Sequence, residues 1–223
     1  MSVDRREYRI LMVDDDLIYR DSACMRLARE NYHIVPASNT GDAQTLLKKE
    51  IPFHLCIIDN EMPDVDGEKR EDAGIELAIW IKREYPYTSR LIITASHDIE
   101  LVKKAVLKEG LTAGYYVKDN IATGYVESLP ALVSEVLSER LVPVMDRNDF
   151  PTKCDPLDFW NAEGTVERDI YTSGSGVVQF GAGSFKAHLH RATSTERIRL
   201  GAKVLGRTIS AGEVQVVPVA EIY

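Results

Sequence analysis

Three acidic side chains, one threonine and one lysine stand where short apolar runs of the sequence end. Asp14 and Asp15 follow YRILMV, and Asp59 follows FHLCII. Thr94 ends RLIIT, and Lys118 follows GYYV. A short, solidly apolar run is typical of a strand buried in a parallel sheet. All five residues are therefore predicted at the carboxyl ends of strands, where such a sheet binds its ligands.

These residue types together suit metal-assisted phosphoryl chemistry. Carboxylates packed closely repel one another unless a cation lies between them, and their hard oxygen atoms favour Mg²⁺ or Mn²⁺. A metal ion held there can neutralise phosphoryl oxygens while a carboxylate attacks phosphorus. Lys118 offers a compact cation that can pair with Asp59 or with a phosphoryl oxygen, and Thr94 offers a hydroxyl.

The elements that must position these residues alternate regularly along the first part of the chain. Apolar periodicity predicts strands at 8–13, 33–37, 53–58, 90–94 and 114–117, and helices at 18–31, 40–50, 74–85, 98–109 and 127–140. Such alternation predicts an α/β fold, a doubly wound five-stranded parallel sheet with helices on both faces.

These segments resemble the receiver domain of two-component response regulators. The resemblance rests on ILMVDDD (10–16), CIIDNEMPDVDG (56–67), LIITAS (91–96) and YYVKD (115–119), and it covers about residues 7–140. It implies a flavodoxin-like receiver fold that is phosphorylated on Asp59 by a sensor histidine kinase. The metal ligands that it implies are Asp14, Asp15, Asp59 and the backbone carbonyl of Glu61.

The resemblance also implies a switch and shows two departures. Thr94 would contact the phosphoryl group, Lys118 would pair with it, and Thr94 and Tyr116 would change position on phosphorylation. The chain is longer than the family between Asp59 and Thr94, through the charged segment GEKREDAG (67–74), predicted to be an exposed loop. Asp119 stands where the family usually has proline.

The C-terminal part of the sequence has no helical periodicity. Glycines separate the short runs GVVQF (176–180), SFKAHLH (184–190), AKVLGRTI (202–209) and EVQVVPV (213–219). This pattern predicts a small all-β barrel or sandwich. Residues 163–219 resemble the small OB-fold domain at the end of NfeD-type proteins. The expected division is a receiver at 1–142, a linker at 143–162, and an output barrel at 163–223.

Two output functions are open for this barrel. Between residues 174 and 212 there are six basic side chains and one acidic side chain, Glu196. An OB barrel can use such charge to bind single-stranded nucleic acid with stacking aromatic residues. Only Phe180 and Phe185 are available for stacking, and they alternate like core residues, which favours binding of a protein partner. A further alternative is a receiver that acts as an interaction module without phosphorylation.

Composition limits the remaining functions. A formal net charge of −8 argues against general affinity for nucleic acid or anionic membrane. The three cysteines lack CxxC spacing, and no segment has the apolar length of a membrane span or signal core, so a cytoplasmic protein is expected. No second catalytic set is evident. The chain is expected to be a switch and not a metabolic enzyme, and a homodimer is possible.

Overall fold

The computed structural model describes residues 8–49, 53–63, 66–94, 113–118, 125–191 and 193–219. Two compact units divide the chain, Met1–Ser138 and Glu139–Tyr223. The predicted helix at 98–109 and Asp119 lie outside the described residues. Within the described part of the chain, no helix is both long and apolar enough to cross a membrane.

The first unit contains a five-stranded parallel sheet. Its strands in chain order are β1 (Arg9–Val13), β2 (His33–Ala37), β3 (Leu55–Asp59), β4 (Met62–Pro63), β5 (Lys69–Arg70), β6 (Ser89–Thr94) and β7 (Gly114–Val117). The sheet has the order β2-β1-β3-β6-β7, and β4 and β5 form a separate two-stranded sheet. All four pairings within the sheet are parallel, which confirms the predicted arrangement.

Helices cover both faces of this sheet. They are α1 (Leu17–Ala28), α2 (Thr40–Lys49), α3 (Ala73–Glu84) and α4 (Tyr125–Glu139). Because side chains alternate across a strand, β1 and β3 contribute to two separate cores. One core joins Leu11 and Ile58 to α2 and α3, whereas the other joins Ile10 and Ile57 to α1 and α4. The central strands are therefore apolar on both sides, and their polar groups gather at the strand ends.

The second unit is built around a closed barrel. Its strands are β8 (Val142–Met145), β9 (Pro151–Cys154), β10 (Glu163–Arg168), β11 (Ile170–Tyr171), β12 (Gly176–Phe180), β13 (Gly183–Leu189), β14 (Arg197–Ile198), β15 (Lys203–Ser210) and β16 (Glu213–Pro218). The barrel closes in the order β10-β12-β13-β16-β15. The pairing of β13 with β16 is parallel, and the other barrel pairings are antiparallel.

The segment predicted as a linker, 143–162, differs from that expectation. It contains most of the β8–β9 hairpin and a 3₁₀ turn at Pro156–Asp158. Pro151 begins β9, and Asp155 caps the turn, since its side chain accepts from the backbone N–H of Leu157. Phe159 then packs in the core of the barrel unit.

Candidate acidic site

Three carboxylates meet at the carboxyl edge of the parallel sheet. Asp14 follows β1 directly and Asp59 ends β3, and these two strands are neighbours. Asp14, Asp15 and Asp59 each offer one carboxylate oxygen, and these oxygens lie within 4.8 Å of one another. Asp14 and Asp59 are buried, whereas Asp15 is partly exposed. The structure thus brings together the three acids expected from the sequence.

Lys118, which follows β7, bridges two of these acids. Its Nζ lies 2.7 Å from Oδ2 of Asp14 and 3.1 Å from Oδ2 of Asp59. The same ammonium lies 4.5 Å from the centroid of the Tyr19 ring, on which a cation is stabilised by the ring face. Sequence reasoning missed Tyr19, because its buried position in α1 beside Lys118 is visible only in three dimensions.

Local hydrogen bonds fix the first acidic segment. The backbone N–H of Asp14 donates to the carbonyl of Ala37 at 3.1 Å, and its side chain accepts from the backbone N–H of Asp16 at 2.9 Å. Arg20 donates to the Asp14 carbonyl. Asp16 itself caps α1, since its carboxylate accepts from the N–H groups of Ile18 and Tyr19. The third aspartate of the run therefore begins a helix and leaves Asp14 and Asp15 to form the site.

The environment of the site disfavours the negatively charged forms of Asp59 and Asp14. Burial raises the pKa of Asp59 from its ordinary 3.8 to about 7, opposed by Lys118 and reinforced by the charges of Asp14 and Asp15. Burial likewise raises the pKa of Asp14. Oδ1 of Asp59 is buried and has no hydrogen-bond partner among the described residues. Carboxylate oxygens in this condition fit a divalent cation that prefers hard oxygen ligands.

The other predicted residues occupy the same edge of the sheet. Thr94 is buried at the end of β6, next to the residue that pairs with Asp59, and its carbonyl accepts from the N–H of Lys118 at 2.5 Å. Glu61 lies two residues after Asp59 and is partly buried. Tyr116 lies in β7, but its side chain is outside the described part of the structure. The roles assigned to Thr94, Glu61 and Tyr116 remain predictions.

Comparison with known proteins gives one family for this part of the chain. The model of the response regulator receiver domain matches residues 10–120. The match does not extend into the barrel.

Curated relatives and solved structures are similar over 46% to 60% of the chain. The response regulator protein PilR of Pseudomonas aeruginosa is 31% identical over 102 residues, which are 46% of this chain and 21% of PilR. The alginate biosynthesis transcriptional regulatory protein AlgB of Pseudomonas putida is 27% identical over 117 residues, 52% of this chain and 24% of AlgB. The chain thus spans between a fifth and a quarter of the length of these relatives.

Among solved structures, the signal receiver domain of an HD domain-containing protein from Pseudomonas fluorescens is 25% identical, with a TM-score of 0.50. That alignment covers 60% of this chain and 97% of that structure. A CheY-like receiver domain protein from Methanospirillum hungatei is 22% identical with the same TM-score of 0.50, over 60% of this chain and 95% of that structure. This second similarity bears on the fold alone.

Proposed function

Because residues 10–120 belong to the response regulator receiver domain family, we propose that the protein is a two-component response regulator that accepts a phosphoryl group on Asp59. A sensor histidine kinase would supply that group. The family membership covers the first unit only, so the kinase, the reaction on Asp59 and the role of the barrel are parts of the proposal.

One observation carries the choice of Asp59 as the acceptor. Its Oδ1 is buried without a hydrogen-bond partner among the described residues, while Lys118 lies 3.1 Å from its Oδ2. Lone pairs of Asp59 thus remain available for bonding in a site that already holds a fixed positive charge. Asp14 is bonded to the N–H of Asp16 and to Lys118, so it is less available as a nucleophile.

In the proposed reaction, a carboxylate oxygen of Asp59 forms a bond to phosphorus as the bond between phosphorus and the donor's leaving group breaks. Lys118 offsets the negative charge that the phosphoryl group brings, in a site where burial strengthens that attraction. The hydroxyl of Thr94 would donate to a phosphoryl oxygen. Mg²⁺ or Mn²⁺, held by Asp14, Asp15, Asp59 and the carbonyl of Glu61, would supply the remaining positive charge.

The kinase needs a surface beside this site, and α1 offers one. Ile18 is 72% exposed and Met25 is 61% exposed, on the helix that Asp16 begins. Exposed apolar side chains next to a reactive group are typical of a docking surface for a protein partner. The receiver would accept the phosphoryl group and slowly lose it by hydrolysis. The chain would therefore act as a switch and not as a metabolic enzyme.

The barrel is proposed to be an OB-like, NfeD-like output domain that binds a protein partner or changes homodimerisation. The strand order of the closed barrel supports an OB-like fold, because its first, second, third, fifth and fourth strands follow one another and the third and fifth are parallel. Phosphorylation would act through Thr94 and Tyr116, shifting an existing equilibrium of the receiver.

Binding of single-stranded nucleic acid receives less support from the barrel's side chains. Phe180 and Phe185 both pack edge-on against Phe159, with ring centroids 5.3 Å and 5.1 Å apart, so neither is presented for base stacking. Three of the basic side chains in this region are paired with acids, in the ion pairs Lys186–Asp149, Arg197–Asp169 and Lys203–Glu163.

We therefore expect the full chain to leave a fluorescently labelled oligothymidylate unbound at low salt, as measured by fluorescence anisotropy. Salt-dependent binding is the mark of phosphate contacts, so the titration is repeated at higher salt. A variant with Arg191 and Arg199 changed to alanine is the matched comparison. Saturable binding that weakens with salt and is lost in this variant would establish nucleic acid as the target instead.

The function itself is tested with a small phosphoryl donor. Acetyl phosphate with Mg²⁺ is expected to add one phosphoryl group to the wild-type protein and none to Asp59→Asn, as measured by intact mass. Asp66→Asn, an exposed acid in the same segment, serves as the control and should be modified like the wild type. Equal modification of Asp59→Asn would place the acceptor elsewhere. An unmodified wild type would favour the interaction module without phosphorylation.

A further inference from the structure

The segment inserted between the acceptor strand and α3, 67–74, contains β5, which pairs with β4 to form a small hairpin. Met62 pairs with Arg70 and Pro63 pairs with Lys69, in antiparallel register. The segment 67–74 was predicted to be an exposed charged loop, and Gly67, Glu68 and Glu71 are exposed, but Lys69–Arg70 form β5. At the base of the hairpin, Met62 is fully buried in the core shared with α2 and α3.

Asn60, the residue after the acceptor, is bonded to three neighbouring segments. Its backbone N–H donates to the carbonyl of Ile93 in β6 at 2.9 Å, and its carbonyl accepts from the N–H of Gly74 in α3 at 3.1 Å. Its side-chain Nδ2 donates to the carbonyl of Glu71 at 2.5 Å. Since a carbonyl oxygen only accepts, the amide nitrogen must face Glu71. The side chain of Asn60 thus holds the returning end of the hairpin.

Stability alone does not explain an asparagine at this position. Asn60 is fully buried, yet its Oδ1 has no hydrogen-bond partner among the described residues. A buried acceptor without a partner lowers stability, and an apolar side chain would avoid that cost. The bond from Nδ2 to Glu71 is what the asparagine adds.

The ion pairs of Arg70 in the hairpin are weaker than this buried hydrogen bond. Arg70 contacts Asp72 at 3.1 Å and Glu76 at 2.8 Å, but these side chains are between 40% and 54% exposed, where ion pairs contribute little. Gly74 brings α3 so close that a Cβ there would lie 2.1 Å from the Asp59 carbonyl oxygen. The backbone of Asp59 and Asn60 therefore lies tightly against α3, and the side chain of Asn60 ties it to the returning end of the hairpin.

We infer that Asn60 is a positioning residue of the acceptor site, which acts by anchoring the inserted hairpin and thereby fixing the backbone of Glu61. This inference rests on the proposed function, in which the Glu61 carbonyl binds the divalent ion. Loss of the anchor lets the backbone after Asp59 move, so the metal site is less well organised before the ion binds. The inserted segment and Asn60 then act together, because the side-chain hydrogen bond of Asn60 holds the end of the longer chain in place.

The test compares Mg²⁺ affinity in Asn60→Ala and Arg70→Ala with the wild type by isothermal titration calorimetry. Asn60→Ala is expected to bind Mg²⁺ about three- to tenfold more weakly, since one buried hydrogen bond that organises the site is lost. Arg70→Ala, which loses the exposed ion pairs with Asp72 and Glu76, is expected to change the affinity less than about twofold. Thermal unfolding in EDTA reports whether each variant is folded.

Wild-type affinity in a folded Asn60→Ala would overturn the inference and leave the proposed function intact. Absence of both Mg²⁺ binding and phosphorylation in the wild type would instead overturn the proposed function. If Asn60→Ala does not fold, hydrogen exchange in the wild type decides. The Asn60 carboxamide protons should exchange slowly and shift when Mg²⁺ is added, and exchange at the rate of an exposed asparagine would overturn the inference.

Discussion

Asp59→Asn is expected to raise the free energy of unfolding of the metal-free protein by up to about 4 kcal/mol at about pH 8. The pKa of Asp59 is about 7 in the folded protein, against an ordinary value of 3.8, chiefly because the carboxyl group is buried. Between these two pKa values, the folded state therefore keeps a proton that the unfolded state has released. The contribution of Asp59 to the free energy of unfolding is therefore most favourable below the unfolded pKa. It declines as the pH rises toward about 7 and stays low at higher pH. Asparagine carries no charge and removes the contribution of this group to the decline.

Urea denaturation in EDTA, repeated from below the unfolded pKa of Asp59 to about pH 8, measures the free energy of unfolding of each variant. The stability difference between Asp59→Asn and the wild type should be small in acid and should grow as the pH rises. Mg²⁺ should stabilise the wild type more at high pH, because fewer protons compete for the carboxylates. Lys118→Ala should have the opposite effect and destabilise the metal-free protein, since Asp14 and Asp59 lose their shared cation. Parallel pH curves for wild type and Asp59→Asn would contradict the raised pKa.

Arg140→Ala is expected to lower the free energy of unfolding of the barrel unit by about 3–5 kcal/mol. Arg140 and Asp155 form two parallel hydrogen bonds, Nε to Oδ2 and a terminal nitrogen to Oδ1, both 2.7 Å long. Their side chains are only 5% and 0% exposed. Removing the guanidinium leaves the Asp155 carboxylate buried without its cation, and that cost exceeds the loss of an ordinary contact.

Trp160 provides the measurement, because the only other tryptophan, Trp80, lies in the first unit and can be replaced by phenylalanine. Urea unfolding is followed by Trp160 fluorescence in that background. Lys203→Ala removes an exposed ion pair with Glu163 and should change the stability by less than about 0.5 kcal/mol. The double variant Arg140→Met, Asp155→Asn should recover much of the loss, because it leaves no buried charge. A loss of the same small size in Arg140→Ala and Lys203→Ala would contradict the expectation.

The proximity of the acids and Lys118 could be predicted from the sequence, because parallel strands leave a strong pattern. The central strands β1, β3 and β6 each contain a run of three or four consecutive buried apolar residues, so the first polar residue after that run marks the carboxyl edge of the sheet. Asp14, Asp59 and Lys118 were found in this way, and strand adjacency alone then brings them together. No knowledge of the loops was required.

The remaining contacts could not be predicted because they depend on tertiary packing. Tyr19 reads as an ordinary apolar position of an amphipathic helix, and only the fold places its ring beside Lys118. Asn60 reads as a loop residue, since its partner Glu71 lies in an inserted segment whose path the sequence does not specify. Pro156 and Asp155 indicate irregular backbone equally well in a linker and in a capped turn, so burial decides between the two.

The turn at Phe159 has a practical consequence for expressing the barrel separately or fusing it to another protein. Phe159 fills the core together with Val144 and Cys154, and all three precede the first barrel strand. Gly206 in β15 accommodates the turn so closely that a Cβ there would lie 2.1 Å from the Phe159 carbonyl oxygen. An expression clone or gene fusion that starts at residue 163 would therefore leave a hole in the hydrophobic interior. The smallest portable fragment should begin near residue 139, where the second unit itself begins.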